Sequence, residues 1–592
     1  MSTQATWQFR VLAGVMGLAV LAAAASARSP SQTRLDFAML SDPVIELPPI
    51  EYRFPTGVQP LWLAALESPE GDLKQQAQRT LAWARPRGLP GLDAAVGPLT
   101  KNLVEDSRLV VRLTAAQALV ALEARTAAQA LFDRAQADGL DMAQVAEPAL
   151  GRWRFAPLID VWRSRLRDDG VQRRRRMLAI RGLGELGDEA AVKDLLQIAV
   201  PPSQSADLRL AAATALGQIR RAELESVARQ LLTRQPPPDI VDRLVAVRML
   251  RSHGSSQAKA FLVEMVADAD STVVASALQP LLELEPARIV PLAAATLARG
   301  DVNVRRLVAQ ALFACPSAEN LSLLAGVLAD PDPGLRDDVR QLLEKLAESP
   351  DWRPEVIRQG ERMVGDERWT ALEQAIVLLA TLDVDSASQR LLELLQHGRA
   401  EVYVAAAWGL RRLAVTQTLE PVLEIARQRI QRREELLQGD PNLDHQLAHL
   451  LEFFGQEKYQ PAEPFLRTFV AKDLTIVRAR SAAIWSLGHL HADQPVAELA
   501  AELEGRLSDT GMPQPEHELV RRLAAVTLGR MKAASALPTL ELFSEPAGIQ
   551  TEIGYACAWS VERISGKPLP AIHLPIKYYG DFFLEPRDDE AR

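Results

Sequence analysis

Cysteine is nearly absent: Cys315 and Cys557 are the only two in 592 residues. Two thiols cannot build a multi-bridge disulfide framework or a four-thiolate zinc site. Aromatics are scarce too, at 5% of the chain. The 48% apolar content is therefore carried mostly by Ala, Leu and Val, and Ala and Leu are strong helix formers. With 32 glycines the chain is no flexible linker, and at 24% charged residues it is not disordered by composition. Positive charge is not in excess: the net charge is −9, which argues against a general nucleic-acid binder. After the N-terminal segment no apolar run reaches the 18 residues of a membrane span.

The N-terminus has its own pattern. Arg10 is its only charged side chain before an unbroken apolar run from Val11 to Ala25, and Ala25-Ser26-Ala27 supplies a small-x-small site. That is the order of a secretory signal, with cleavage expected after Ala27. The rival expectation is an uncleaved anchor, although such a run is short for a hydrocarbon core of about 30 Å. Residues 28–60 follow as a leader in which Pro43, Pro48, Pro49, Pro55 and Pro60 break any helix. No chemistry is visible in it, and it is expected to lie along the first repeat.

The body of the chain, residues 61–567, repeats. Val111-Arg112-Leu113-Thr114-Ala115-Ala116-Gln117-Ala118-Leu119 aligns with Val304-Arg305-Arg306-Leu307-Val308-Ala309-Gln310-Ala311-Leu312 and with similar stretches at Leu208 and Val520. With the Arg as position zero, fifteen units start at Lys74, Arg112, Ala143, Arg176, Arg209, Arg243, Val274, Arg305, Arg336, Leu372, Tyr403, Asp444, Arg480, Arg521 and Gly554. Nine of the fourteen spacings fall between 31 and 34 residues, too regular for unrelated helices. Position +3 is Ala in eleven units and +7 is Leu in fourteen. At 3.6 residues per turn, +3, +7 and +10 share one helix face. Asp270, Asp301 and Asp332 stand where they would cap the next helix. Each unit reads as a helix pair.

These motifs resemble HEAT repeats, in particular the short bacterial type named for phycobilisome lyases. The phrases Leu183-Gly184-Glu185-Leu186-Gly187-Asp188 and Asp330-Pro331-Asp332-Pro333 carry the resemblance. It implies an all-α fold: a right-handed, armadillo-like α-solenoid of about fifteen helix pairs. It does not carry over an activity, because no lyase site residues match. Deoxyhypusine hydroxylase also uses short HEAT-like repeats, with iron held by several His-Glu pairs. Here only His517-Glu518 is present, so that constellation is missing.

Other motifs weaken on inspection. Gly182-x-Gly184-x-x-Gly187 spells a dinucleotide fingerprint, but it lies at the end of a repeat helix and not after a strand. His445-Gln446-Leu447-Ala448-His449 has zinc-protease spacing with an amide in place of the general base. His489, one unit on, shares the outward face of His449, so these three histidines are the only metal candidates. Neither Gly-x-Ser-x-Gly nor a P-loop occurs. No cofactor is expected. Cys315 at +10 and Cys557 at +3 read as buried free thiols.

Two surface features stand out. Arg152–Arg181 holds ten Arg, among them Arg173, Arg174, Arg175 and Arg176, against three Asp. It reads either as a solvated helix face or as a dock for an acidic partner or anionic headgroups. Position +5, opposite the core face, holds Arg79, Gln117, Arg181, Thr214, Arg248, Gln279, Gln310 and Gln341 in early units. From the eleventh unit it changes to Trp408, His449, Trp485, Val526 and Trp559, with Phe453 at +9 beside them. Either loops and curvature cover these aromatics or they form a partner groove. Residues 568–592 depart from the repeat, and Tyr578, Tyr579, Phe582 and Phe583 suggest a cap over the last layer, followed by an acidic tail.

The expectation is a non-enzymatic protein-interaction scaffold of the bacterial envelope, exported to the periplasm. Its partners would be proteins bound along the concave face, not nucleic acid, with membrane contact only through an uncleaved N-terminal segment. The alternatives are a metal- or cofactor-dependent enzyme of the HEAT-like type and a membrane-tethered assembly factor.

Overall fold

The computed structural model describes residues 35–44, 52–55, 57–235, 237–435, 441–544, 551–568, 577–578 and 584. The segment 1–27, read as a signal, lies outside the described residues. Among the described residues there are thirty α-helices, and the sole β pairing is a two-residue parallel ladder of Tyr52–Arg53 with Lys577–Tyr578. The fold is an all-α array of HEAT-like helix pairs.

Fifteen of the helices carry the repeat register, one for each predicted unit, from Gly71–Ala84 to Glu552–Ser565. Position zero is the fourth residue of fourteen of them. All eleven alanines at +3 and all fourteen leucines at +7 have zero exposure. A methyl at +3 lets the next register helix approach closely, and the Leu fills the space between layers. The less regular units at Ala143 and Asp444 are ordinary layers, formed by Leu140–Arg152 and Pro441–Gln456.

Both helix ends are built from the repeat. Asp270, Asp301 and Asp332 each accept a backbone N–H of the helix that follows, as their positions predict. The position-zero arginines act at the opposite pole, donating to carbonyls at the end of the preceding helix. Arg176 reaches Leu166 O, Arg209 reaches Ala199 O, and Arg521 reaches Leu507 O. A guanidinium there satisfies carbonyls that have no intrahelical partner and opposes the negative end of the helix dipole. After several register helices the chain turns through one left-handed residue, as at Glu123, Arg154, Gly187, Asp383 and Lys532. The amide after it then returns to the +7 Leu carbonyl, as from Asp188 to Leu183. Gly187 takes this conformation without a Cβ clash. The Gly-rich phrase is therefore a helix stop, and Gly182 is small because a Cβ there would lie 2.2 Å from the Trp162 ring.

The chain divides into two compact units. One comprises residues 46–315 with 572–592; the other comprises 1–45 with 316–571. In the first, eight register helices pack in sequence from Gly71–Ala84 to Val302–Ala314. Part of the leader does lie along its first repeat: Phe54 meets Trp62 and Trp83 edge-on, at 6.3 and 5.9 Å. The aromatic tail was expected to cap the last layer. Its described part, Lys577–Tyr578, instead pairs beside Phe54 with Tyr52–Arg53.

In the second unit seven register helices run from Pro333–Ala347 to Glu552–Ser565. Its last layers approach especially closely. A Cβ on Gly455, Gly488 or Gly529 would meet Ser486, Thr527 or Ser560 of the next helix below 3 Å. Those three hydroxyls each donate to a carbonyl of the preceding register helix: Leu451, Ile484 and Ala525. This spacing fixes the face on which the candidate site lies.

Candidate functional site

The register helices Ala400–Leu413, Pro441–Gln456, Val477–Leu490 and Glu518–Arg530 present their +5 side chains, together with neighbours one turn on, to a single groove. The groove is filled by the leader. Residues 35–44 lie across it, with a short 3-10 turn at Ala38–Ser41 against Val477–Leu490. The leader was expected along the first repeat, and these ten residues instead cover the face of the last layers.

The grip is specific at both ends of the segment. At one end the Trp408 indole donates to Asp36 Oδ1 at 2.7 Å, and Arg411 donates to the Asp36 carbonyl at 2.6 Å. At the other, Asp42 Oδ2 accepts from the Trp485 indole at 2.6 Å and from Arg530 at 2.5 Å, with His489 at 3.7 Å. Arg522 donates to the carbonyls of Leu40 and Asp42 at 3.0 and 3.1 Å. Between the ends, Phe37 stacks on His449 with centroids 4.1 Å apart and planes 3° from parallel. Met39 is fully buried, and its N–H donates to Glu452 Oε1 at 2.8 Å. Burying a Met side chain contributes roughly 1.5–3 kcal/mol, so Met39 is the apolar anchor. The Asp36 side chain is 74% exposed at the rim, whereas that of Asp42 is 22% exposed. Asp42 is therefore the stronger polar anchor, because exposed ion pairs contribute little.

Electrostatics follow this geometry. Burial alone would raise the Asp42 carboxyl, but the His489 imidazole 3.7 Å away, hydrogen bonds from Arg530 and Trp485 and the charge of Arg530 outweigh it and hold the group below the ordinary Asp range. Asp36 is lowered likewise, with Trp408 and Arg411 opposing its burial. Burial pushes Glu452 up to about 7, against the lowering effect of Arg411 and of the backbone N–H groups of Met39 and Ala38. Complete burial drives His449 well below the usual imidazole range.

The sequence-derived residues fall into distinct places. Trp408 and Trp485 hold the leader, as do the histidines: His449 stacks on Phe37, His445 lies 6.1 Å from the same ring, and His489 faces Asp42. Phe453 has zero exposure and packs on Phe454, so it is core and not groove. Trp559 is half-buried, with the Arg563 guanidinium 5.6 Å from its ring centroid. Among the described residues no three His, Cys, Asp or Glu gather as a metal site. Cys557 is buried and its thiol is pushed up to about 12, whereas Cys315 is only half-buried.

Most arginines of the cluster have a carboxylate partner. Arg165 makes a buried two-point pair with Glu147, which also accepts the Trp162 indole. Arg163 pairs with Asp188, Arg167 with Asp194, Arg173 with Asp207 and Arg176 with Asp169. Arg152 reaches Glu123, and Arg175 donates to Ala135 O. Arg152, Arg154, Arg167, Arg173, Arg174 and Arg181 are exposed. A thirty-residue window counts the arginines and misses most of their acids, Glu123, Glu147, Asp188, Asp194 and Asp207, which lie outside it.

Sequence reasoning missed Arg411, Glu452, Arg522 and Arg530 in the groove, and Asp36, Phe37, Met39 and Asp42 in the leader. Two signals were present: charged residues at +8 or +9 of the late units (Arg411, Glu452, Arg530), with Arg522 at +1, and an apolar Phe-Ala-Met-Leu stretch bracketed by two Asp.

No protein-family model and no curated protein matches the sequence. Among solved structures the chain is similar to importin-beta proteins. A structure of Kap95p with RanGDP gives a TM-score of 0.49 at 14% identity, over 85% of this chain and 72% of that one. Importin beta in an ammonium sulfate condition gives 0.46 at 16%, over 85% and 72%. Yeast importin-beta (Kap95p) gives 0.43 at 14%, over 86% and 72%.

Proposed function

We propose that this protein is a non-enzymatic interaction scaffold that binds extended protein segments on the face formed by its register helices, and that it works in the bacterial envelope after export. One observation carries the binding part: the late layers hold ten residues of irregular chain through side chains that read both its carboxylates and its backbone. A surface that binds one extended segment has the chemistry to bind another. Export rests on the order of charge, apolar run and small residues in Met1–Ala27. The finer likeness to the short bacterial repeat type rests on the Leu183–Asp188 and Asp330–Pro333 phrases. The face in residues 46–315 extends the same reading, with a cleft of about 550 Å³ lined by Thr214, Arg248, Arg251, Gln279 and Asn303.

The test is affinity purification of the full chain from envelope extract, beside a variant with Trp408, Trp485 and Trp559 replaced by Ala. Loss of the recovered partner from the variant, with helical circular dichroism intact, is the expected result. Unchanged recovery would place binding elsewhere. The intact mass of the exported chain tests processing: a loss corresponding to Met1–Ala27 is expected.

A further inference from the structure

The groove is not fully satisfied by the segment that fills it. Arg411 Nε, Arg522 Nε and Arg530 Nη1 are buried donors with no hydrogen-bond partner among the described residues. The two ring nitrogens of His449, one a donor and one an acceptor in the neutral ring, His489 Nε2 and the acceptor Glu452 Oε2 are also without a partner there. Native interiors leave few polar atoms unpaired, because each costs about 1–3 kcal/mol. Here seven lie together under one peptide. The groove's own side chains set three guanidinium groups against two carboxylates: Glu452, fully buried and 3.3 Å from Arg411, and Glu552, exposed at the rim and 3.4 Å from Arg522. Before the leader is counted the balance is cationic, so the groove fits an acidic occupant; Asp36 and Asp42 meet that charge but leave the buried donors above unpaired, so the leader is an incomplete match for it.

The contacts also define what is read. The groove engages the Asp36 and Asp42 carboxylates, an aromatic ring one place after the first and a buried apolar side chain three places after it. Leu40 is 47% exposed and Ser41 is exposed, so those positions are free to vary.

We infer that the groove is a recognition site for a protein segment carrying two carboxylates six positions apart around an aromatic and an apolar anchor, and that the leader is its resident occupant in cis, displaced when a partner supplies the same chemistry with better-placed acceptors. This rests on the scaffold reading above and names the partner's chemistry.

A labelled synthetic peptide of Leu35–Val44 tests it by fluorescence anisotropy against the full chain and against the full chain carrying Asp36→Asn and Asp42→Asn. The variant loosens its own leader and keeps the groove. Peptide binding to it is expected to be at least tenfold tighter than to the unaltered chain. Adding Arg530→Gln should abolish the gain, and a peptide with both Asp changed to Asn should not bind. Met39→Asp, which ejects the leader by putting a charge in its apolar seat, is a second route to the same opened groove. Equal peptide binding to the unaltered chain and to both opened variants, with helicity intact, would overturn the inference. Dimerisation of the opened variants by sedimentation would overturn it too, because the occupant would then be the leader of a second copy. Failure of the scaffold reading looks different. If the peptide exchanges as expected but no partner is recovered from extract, the site stands and the scaffold falls. If partners are recovered while no peptide exchanges, the scaffold stands and the leader is a fixed structural element.

Discussion

The indole Nε1 of Trp485 donates a 2.6 Å hydrogen bond to Asp42 Oδ2, which lies 443 positions earlier in the chain. Asp42 also accepts from Arg530, so one carboxylate ties the leader to two successive register helices. A hydrogen bond to a charged group contributes about 1.5–3 kcal/mol. Trp485→Phe keeps the ring and removes the donor. Hydrogen exchange of the amides in residues 35–44 should then quicken by about tenfold or more. Trp559→Phe, at a ring that faces Arg563, should leave that exchange unchanged.

Leader docking should depend on pH through Glu452. Its value with the leader docked, about 7, lies above the ordinary 4.5. A raised carboxyl favours the docked state while it is protonated. The contribution is full below about pH 4.5 and is lost as pH rises through 7. Asp36 and Asp42 are lowered, so their contributions are present above the ordinary 3.8 and fail as pH falls below it. Arg411 faces Glu452 and Arg530 faces Asp42, and burial holds His449 and His489 below the usual imidazole value of 6.5, so their contributions are present above it and fail as pH falls below it. Protection of residues 35–44 therefore combines one carboxyl that favours docking at low pH with two imidazoles that oppose it there, and Glu452→Gln isolates the carboxyl. The ratio of protection in the unaltered chain to that in Glu452→Gln should fall as pH rises from 4.5 through 7, by at most tenfold per pH unit for one proton.

Arg480 and Glu516 form an ion pair in which both side chains have zero exposure. Removing one partner strands a buried charge, at a cost of about 3–5 kcal/mol. Glu516→Ala should therefore lower the thermal midpoint of the layers around Val477–Leu490. Arg480→Met in the same chain should restore part of the loss, because it removes the stranded charge.

Ala414 ends the helix Ala400–Leu413 in the left-handed region, with φ 54 and ψ 34. An L-residue there costs roughly 1–2 kcal/mol, which glycine avoids. Ala414→Gly should raise the unfolding midpoint, by about 0.5–1 kcal/mol in stability, and Gly187→Ala should lower it by a similar amount. Calorimetry of the two variants checks the opposite signs.

The layers were legible because the repeat writes its packing into each unit. Ala115 and Leu119, like Ala212 and Leu216, are fully buried in a helix that packs on the register helices before and after it, so periodicity alone gives helices, register and core. Asp301 is legible for the same reason, because its partner is the Val304 amide three residues on. The site was legible only as a face. Trp408 and Trp485 mark where position +5 changes character, but Asp36 and Asp42 lie hundreds of residues away and belong to no repeat. The arginine window misled through distance as well: Arg163 is neutralised by Asp188, 25 residues on and outside the window. Neighbouring layers supply charges that a local count does not see.

The most direct test of the leader in its groove is a photo-crosslink from its middle. With p-benzoylphenylalanine at Phe37, the ring facing His449, irradiation of the full chain should yield a crosslinked peptide within Pro441–Gln456. Crosslinks confined to the first helices, Val58–Glu67 and Gly71–Ala84, or no intramolecular crosslink, would contradict the account.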